Sequence, residues 1–325
     1  MKLSKIIILI LLSPVVLASS QSTISFTLDN DGLFGVDQDY TNGIFLSYAT
    51  EQLKQESQWR WLSLANLGIA NTDKIEWVLG HKMWTPSNIS ANYPLVNDHP
   101  YAGYLHTEIN YISLTDNKAV RYNFTIGVTG ERSLSEKAQE VIHGITGSAE
   151  PHGWDYQVDD KVAFSLGYRV FNKLIRSEEQ NTQWEVTNIN SINAGNFRSD
   201  VSQGIMFRWG TNLANNIGAA NINVESPFSA SMLAQGTSSW FLFTGFEGHY
   251  RFNDITIEGK RSGIFKPSAP YKITLQNWQA SAVAGATWYN QNYGASLTLT
   301  IKTPDYEESQ TDIYGTGSFS VFAFF

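Results

Sequence analysis

Not one cysteine occurs in the 325 residues of this chain. That excludes a disulfide framework and any thiolate-ligated metal site. Past residue 18 no apolar run is long enough for a transmembrane helix. Basic blocks are missing as well. With 22 Lys+Arg against 30 Asp+Glu the formal net charge is -8, the wrong balance for a nucleic-acid partner. The G-x-S-x-G elbow of serine hydrolases is absent, and Leu- and Ala-rich helical runs are scarce. Aromatics are plentiful instead, with 10 Trp, 15 Tyr and 18 Phe, and so is glycine.

The N-terminus, MKLSKIIILILLSPVVLASS, has two lysines, an apolar run from Ile6 to Leu12 and small residues near Ala18. This is the pattern of a secretory signal, with Val16 and Ala18 before the expected cut. Residues 1–18 are therefore set apart, and 19–325 are expected to form one domain.

Several later segments alternate with period two. In RYNFTIGVTG, Tyr122, Phe124, Ile126 and Val128 share a face. Val162, Phe164, Leu166, Tyr168 and Val170 do so in the next segment, and Tyr293, Ala295, Leu297, Leu299 and Ile301 in another. An apolar face opposite a polar one marks a half-buried strand. The segments run to about ten residues, enough to cross a bilayer when tilted. Aromatics gather at their ends, and the chain closes on the alternating SFSVFAFF. A transmembrane antiparallel β-barrel of about twelve strands is predicted. The strands start near Ile24, Asn42, Glu76, Gly103, Val120, Val162, Thr182, Ser202, Trp240, Gln279, Gly294 and Thr316. Lipid leaves no water for unpaired backbone groups, so the sheet must close. DITIEG reads as a further strand or a strand extension, and the Asn-, Ser- and Ala-rich stretch Ala214–Ser238 has no assignment. With both termini in the periplasm, odd-to-even connections lie on the outer surface.

The first of these holds four aspartates, Asp29, Asp31, Asp37 and Asp39, in LDNDGLFGVDQDYTNG. An EF-hand fails here, because Leu33 and Phe34 occupy its fifth and sixth positions. Asp37 and Asp39 read as solvated loop residues. The third connection, RSLSEKAQEVIHGITG, has helical spacing instead. Ser133 and Glu136 suit a capping box. Leu134, Ala138, Val141, Ile142 and Ile145 form a stripe expected to lie on the barrel rim, and Gly144 or Gly147 can end the helix. Gln139 and His143, four apart, share a face. His106, with Glu108 and Asn110, is assigned to a polar network inside the barrel. His81, His99, His152 and His249 carry no functional signal.

DND with DYTNG, then HPYAGYL, then QEVIHG with GWDYQ follow the order found in the lipid A 3'-O-deacylases of the outer membrane. The chain resembles that LpxR family over nearly its whole mature length. The resemblance implies a calcium-dependent ester hydrolase of lipopolysaccharide in a Gram-negative outer membrane, with its site toward the outer leaflet. It implies His143 as general base on water, with Gln139 and Thr41 assisting. Ca2+ would lie at Asn30 and Asp31, and Asn30 and Thr41 would meet the substrate. Glu150 is a further ligand candidate, offset by one position from the family acid. A monomer is expected, with outer-membrane lipids as its surroundings. One departure concerns substrate binding: TPSNISANYPLVN has no basic residue, and Lys82 lies just before it on a strand. A phospholipase of the same membrane and a passive channel or structural barrel are the alternatives.

Overall fold

The computed structural model describes residues 21–34, 39–179, 181–234, 236–264 and 271–325. The expected signal segment, Asp37 and the side chain of Ile145 lie outside the described residues.

Twelve antiparallel strands close on themselves: β1 (Thr23–Asn30), β2 (Asp39–Ala49), β3 (Thr72–Thr85), β4 (Ala102–Leu114), β5 (Lys118–Thr129), β6 (Val162–Arg176), β7 (Gln183–Gly195), β8 (Arg198–Gly210), β9 (Ser239–Asp254), β10 (Trp278–Tyr289), β11 (Tyr293–Lys302) and β12 (Tyr314–Phe324). Each begins within four residues of its expected start. β1 pairs with β12 from Thr23↔Phe324 to Asn30↔Gly317, so no edge remains. A helix, α1 (Ser135–Thr146), interrupts the β5–β6 connection. DITIEG is not a strand. It forms one helical turn, α2 (Ile255–Glu258), capped by Asp254, whose Oδ1 accepts from Thr256 N–H at 3.0 Å.

The period-two faces behave as their chemistry requires. Ile24, Phe26, Leu28, Phe124, Ile126, Phe164, Leu166, Leu297 and Leu299 are all exposed on the outside wall. Left in water, each would forgo roughly 1.5–3 kcal/mol of burial, a loss that lipid removes. The opposite residues pair inside. Arg121 lies 3.3 Å from both Glu76 and Glu108, and His106 Nε2 is 3.2 Å from Glu108 Oε1, placing His106 in the interior network as expected.

The unassigned stretch turns out to be a plug. Starting from the end where the chain termini lie, residues 213–234 run into the barrel lumen. Leu213, Ile217, Ile222, Phe228, Met232 and Leu233 are buried against Ile112, Phe171, Ile189, Phe241 and Phe322 of the wall. Lys74 Nζ donates to the carbonyls of Ser231 at 3.1 Å and Leu233 at 3.0 Å. Arg208 bridges Glu185 and the Asn216 carbonyl. Farther in, Glu225 accepts from Lys82 at 2.8 Å and from Arg198 at 2.7 Å. The space left is a polar cavity of about 230 Å³, lined by residues such as Glu108, Arg121, Arg169 and Glu247.

A filled lumen argues against a pore. The intact protein should give no steady current in planar bilayers. Replacing residues 214–237 by a short Gly/Ser turn should produce open conductance. Steady current through the intact protein would contradict the plug.

Candidate active site

At the end of the barrel bearing the long β1–β2, β3–β4 and β5–β6 connections, called here the loop end, one register row crosses four strands. Asn30 pairs with Asn42, Asn42 with Met83 and Met83 with Gly103. By alternation from Leu28, Leu46, Leu79 and Ile109, this row continues the outside wall. Neighbouring strands are about 4.8 Å apart, so the row from β1 to β4 spans roughly 14 Å.

The first corner is built by a bulge. Register shifts between Tyr40 and Asn42, which sends the Thr41 side chain to Thr85, with the two hydroxyl oxygens 2.5 Å apart. Asn30 closes an Asx turn: its Oδ1 accepts from Gly32 N–H at 2.8 Å, while its Nδ2 donates to the Thr41 carbonyl at 3.3 Å. Asp31 is buried just beyond it. Asn42 Nδ2 donates to the Asp29 carbonyl at 3.0 Å, but its buried Oδ1 has no hydrogen-bond partner among the described residues. Such an orphan acceptor is costly unless a ligand meets it.

The second half arrives on α1. Gly103 lets this segment touch the wall, because a Cβ there would overlap both hydroxyls of Ser133 and Ser135 and stand 2.6 Å from Ser135 Cβ. His81 Nε2 lies 2.9 Å from Ser135 Oγ and 3.1 Å from the Ser133 carbonyl oxygen, which seats the helix start. The expected capping box does not form. Ser133 is drawn to the wall and donates to the Gly130 carbonyl at 2.6 Å, and the helix begins at Ser135 behind Leu134 at φ +61°. The other end matches the expectation: Gly147, at φ +73°, returns its N–H to the His143 carbonyl.

The face that α1 buries also differs from the one expected. Ser135, Gln139 and His143 are only 1, 1 and 9 % exposed, whereas Leu134 and Val141 are 51 and 62 % exposed. From the apolar stripe, Ala138 packs inward, on Met83, Ile89, Tyr101 and Trp154. The outer side of α1 mixes these two apolar residues with the exposed Glu136, Lys137 and Glu140, while its Ser135–Gln139–His143 side is laid on the wall.

Both polar groups are held in defined states. Trp154 Nε1–H donates to Gln139 Oε1 at 2.8 Å, and the buried Gln139 Nε2 has no acceptor among the described residues. His143 Nδ1 lies 2.6 Å from the Ala149 carbonyl. A carbonyl only accepts, so Nδ1 carries the proton and Nε2 is the basic nitrogen. Trp154 packs in turn against Tyr101, with ring centroids 4.7 Å apart and the planes tilted by 49°. HPYAGYL and GWDYQ thus supply the parts that orient Gln139, a positioning role their spelling did not reveal.

Asn30, Thr41, Gln139 and His143 therefore share one end and one wall of the barrel. Glu150 is exposed, directly after Ala149. Lys82 cannot serve the outside wall, since it points inward to Glu225. Asp39 is not a solvated loop residue: it is 2 % exposed at the start of β2, with φ +59°.

Comparison with known proteins bears on this arrangement. The family model for the outer membrane protein LpxR matches residues 5–325. Among solved structures, LpxR from Salmonella typhimurium aligns with a TM-score of 0.77 at 17% identity, covering 93% of this chain and 100% of that chain. The β domain of the Bordetella autotransporter BrkA aligns with a TM-score of 0.42 at 8% identity, covering 94% of this chain and 97% of that one. The translocator domain of NalP from Neisseria meningitidis gives 0.34 at 8% identity, covering 94% and 86%. A search of curated proteins returned no match.

Proposed function

The chain belongs to the LpxR family of outer membrane proteins, and from that premise we propose that it is a lipid A 3'-O-deacylase. It would hydrolyse the ester that links the 3'-acyloxyacyl group of lipopolysaccharide. The observation that carries this reading is the inverted helix, which buries Gln139 and His143 against the strands that hold Asn30 and Thr41.

His143 Nε2 takes a proton from water as that water attacks the ester carbonyl. The Ala149 carbonyl holds the imidazole in the tautomer this requires. Gln139 Nε2–H, lacking an acceptor among the described residues, is available to the carbonyl oxygen or to the water, and Trp154 fixes its direction. Thr41 and Asn30 line the other side of the substrate path. The oxygens of Asn30, Asp31 and Asn42 are hard donors, and the orphan Asn42 Oδ1 suits a cation. These residues, with Glu150 beside Ala149, would hold Ca2+, which when bound polarises an ester carbonyl and stabilises charge on its oxygen. Leu134 and Val141, exposed on α1, give an acyl chain an apolar surface at the wall. The loop end would then face the outer leaflet, where lipopolysaccharide resides, and one chain supplies every residue named.

Mass spectrometry of lipid A from cells producing the protein should show loss of the 3'-linked acyloxyacyl mass. EGTA should stop the same conversion in detergent. Unchanged lipid A with acyl chains lost from glycerophospholipid would move the assignment to a phospholipase. No change in either lipid would overturn the enzymatic reading.

A further inference from the structure

A second constellation occupies the loop end. It unites three segments distant in sequence: the first residue of β2, the β3–β4 connection and the β11–β12 connection. Asp39, His99 and Asp305 each offer one ligand atom, and these atoms all lie within 4.8 Å of one another. The three residues are 2, 2 and 1 % exposed.

Two of the atoms are orphans. Among the described residues, Asp39 Oδ1 and His99 Nε2 are buried without a hydrogen-bond partner. His99 Nδ1 lies 2.7 Å from the Pro100 carbonyl, so it carries the ring proton and Nε2 presents its lone pair. An imidazole oriented by a backbone carbonyl through its other nitrogen is the usual support of a metal-bound histidine. The third ligand is positioned in the same manner. Asp305 Oδ1 accepts from Arg251 at 2.9 Å, and its Oδ2 accepts from Lys302. A carboxylate has about four acceptor positions, so capacity remains for an ion. The edge of the Tyr306 ring lies against His99 with centroids 5.9 Å apart, and Tyr306 Oη is 3.3 Å from Asp98 Oδ1, closing the group from solvent.

The charges nearby are two-sided. Lys302 and Arg251 offset Asp39 and Asp305, while Asp98 and Asp254 add negative charge around them. The donor set of one imidazole nitrogen and two carboxylates discriminates among ions. Ca2+ and Mg2+ favour all-oxygen shells with more ligands. A borderline transition ion such as Zn2+ takes three such ligands, with water in the fourth position.

We propose that Asp39, His99 and Asp305 form a divalent-metal site, filled by Zn2+ or a similar transition ion, that fastens two long connections to the first residue of β2. Thr41 follows two residues later, so the ion would also steady the bulge that aims Thr41 at Thr85. The site shares no ligand with the calcium corner, and it stands whether or not the chain deacylates lipid A.

The test is metal analysis of the full-length protein, folded in detergent and desalted after growth in zinc-supplemented medium. Wild type should retain one transition ion per chain. His99→Gln and Asp39→Asn should lose it, while His143→Ala and Asp31→Asn keep it. Adding Zn2+ to metal-stripped wild type should raise its Tm and leave that of His99→Gln unmoved. If His99→Gln fails to fold, Co2+ added to stripped wild type decides, since a bound mixed nitrogen–oxygen site gives visible d–d absorption. The proposal is overturned if wild type retains no transition ion and shows neither the Tm rise nor the Co2+ spectrum. Equal retention by a folded His99→Gln also overturns it.

Discussion

His143→Ala is expected to reduce lipid A deacylation by about 10²–10⁴-fold, the range for removing a positioned general base. That corresponds to roughly 3–5 kcal/mol of lost transition-state stabilisation. The loss should lie in kcat, because the imidazole acts on water and not on the binding of a large lipid. Alanine also removes the hydrogen bond to the Ala149 carbonyl, so a second variant separates chemistry from architecture. In His143→Asn the amide N–H occupies the place of Nδ1–H and can still donate to Ala149, but no base remains. It should be as inactive as alanine, with the barrel's heat-modifiable migration unchanged. Recovery of activity in His143→Asn would show that the histidine only holds its loop, and the proposed mechanism would fall.

The second large effect is expected at a residue that touches no substrate. Gly103→Val should leave the barrel folded, since a β-branched residue suits a strand paired on both sides. The same side chain occupies the space taken by the hydroxyls of Ser133 and Ser135, so the start of α1 must lift from the wall. Gln139 and His143 ride on that helix. A displacement of about 1 Å at a reacting group costs on the order of 10²-fold in rate, and activity should fall by at least that much. Gly103→Ala should lie between valine and wild type. Heat-modifiability in gels reports the barrel, and mass spectrometry of lipid A reports the reaction. Full activity in Gly103→Val would mean that the helix does not need its seat on β4.

Much of this was legible from local pattern. Period-two alternation maps directly onto inside and outside, which is why strand starts could be placed closely without any knowledge of pairing. His143 and Gln139 were recognisable as one face of a helix by spacing alone. Three features were not legible, each for a stated reason. Residues 213–234 show no periodicity, because a plug must match the irregular lumen around it and not a flat sheet. Leu134 and Val141 were assigned to the buried side because an apolar stripe usually faces a core, but His81 and Gly103 seat the Ser135 side of the helix on the wall and turn both residues outward. Asp39 looked like one more solvated acid, since its partners His99 and Asp305 lie far along the chain.

The alternation of the sequence alone determined a closed barrel of about twelve strands, because in lipid every backbone group must pair and each strand has one apolar face. Its short motifs identified the imidazole, the amides and the carboxylate on offer. Only the tertiary structure decided which of them meet. The register row from Asn30 to Gly103, the Thr41 bulge and the missing side chain at Gly103 bring the helix onto the outside wall. Proximity of that kind follows from strand order and close packing between distant segments, which local pattern does not encode.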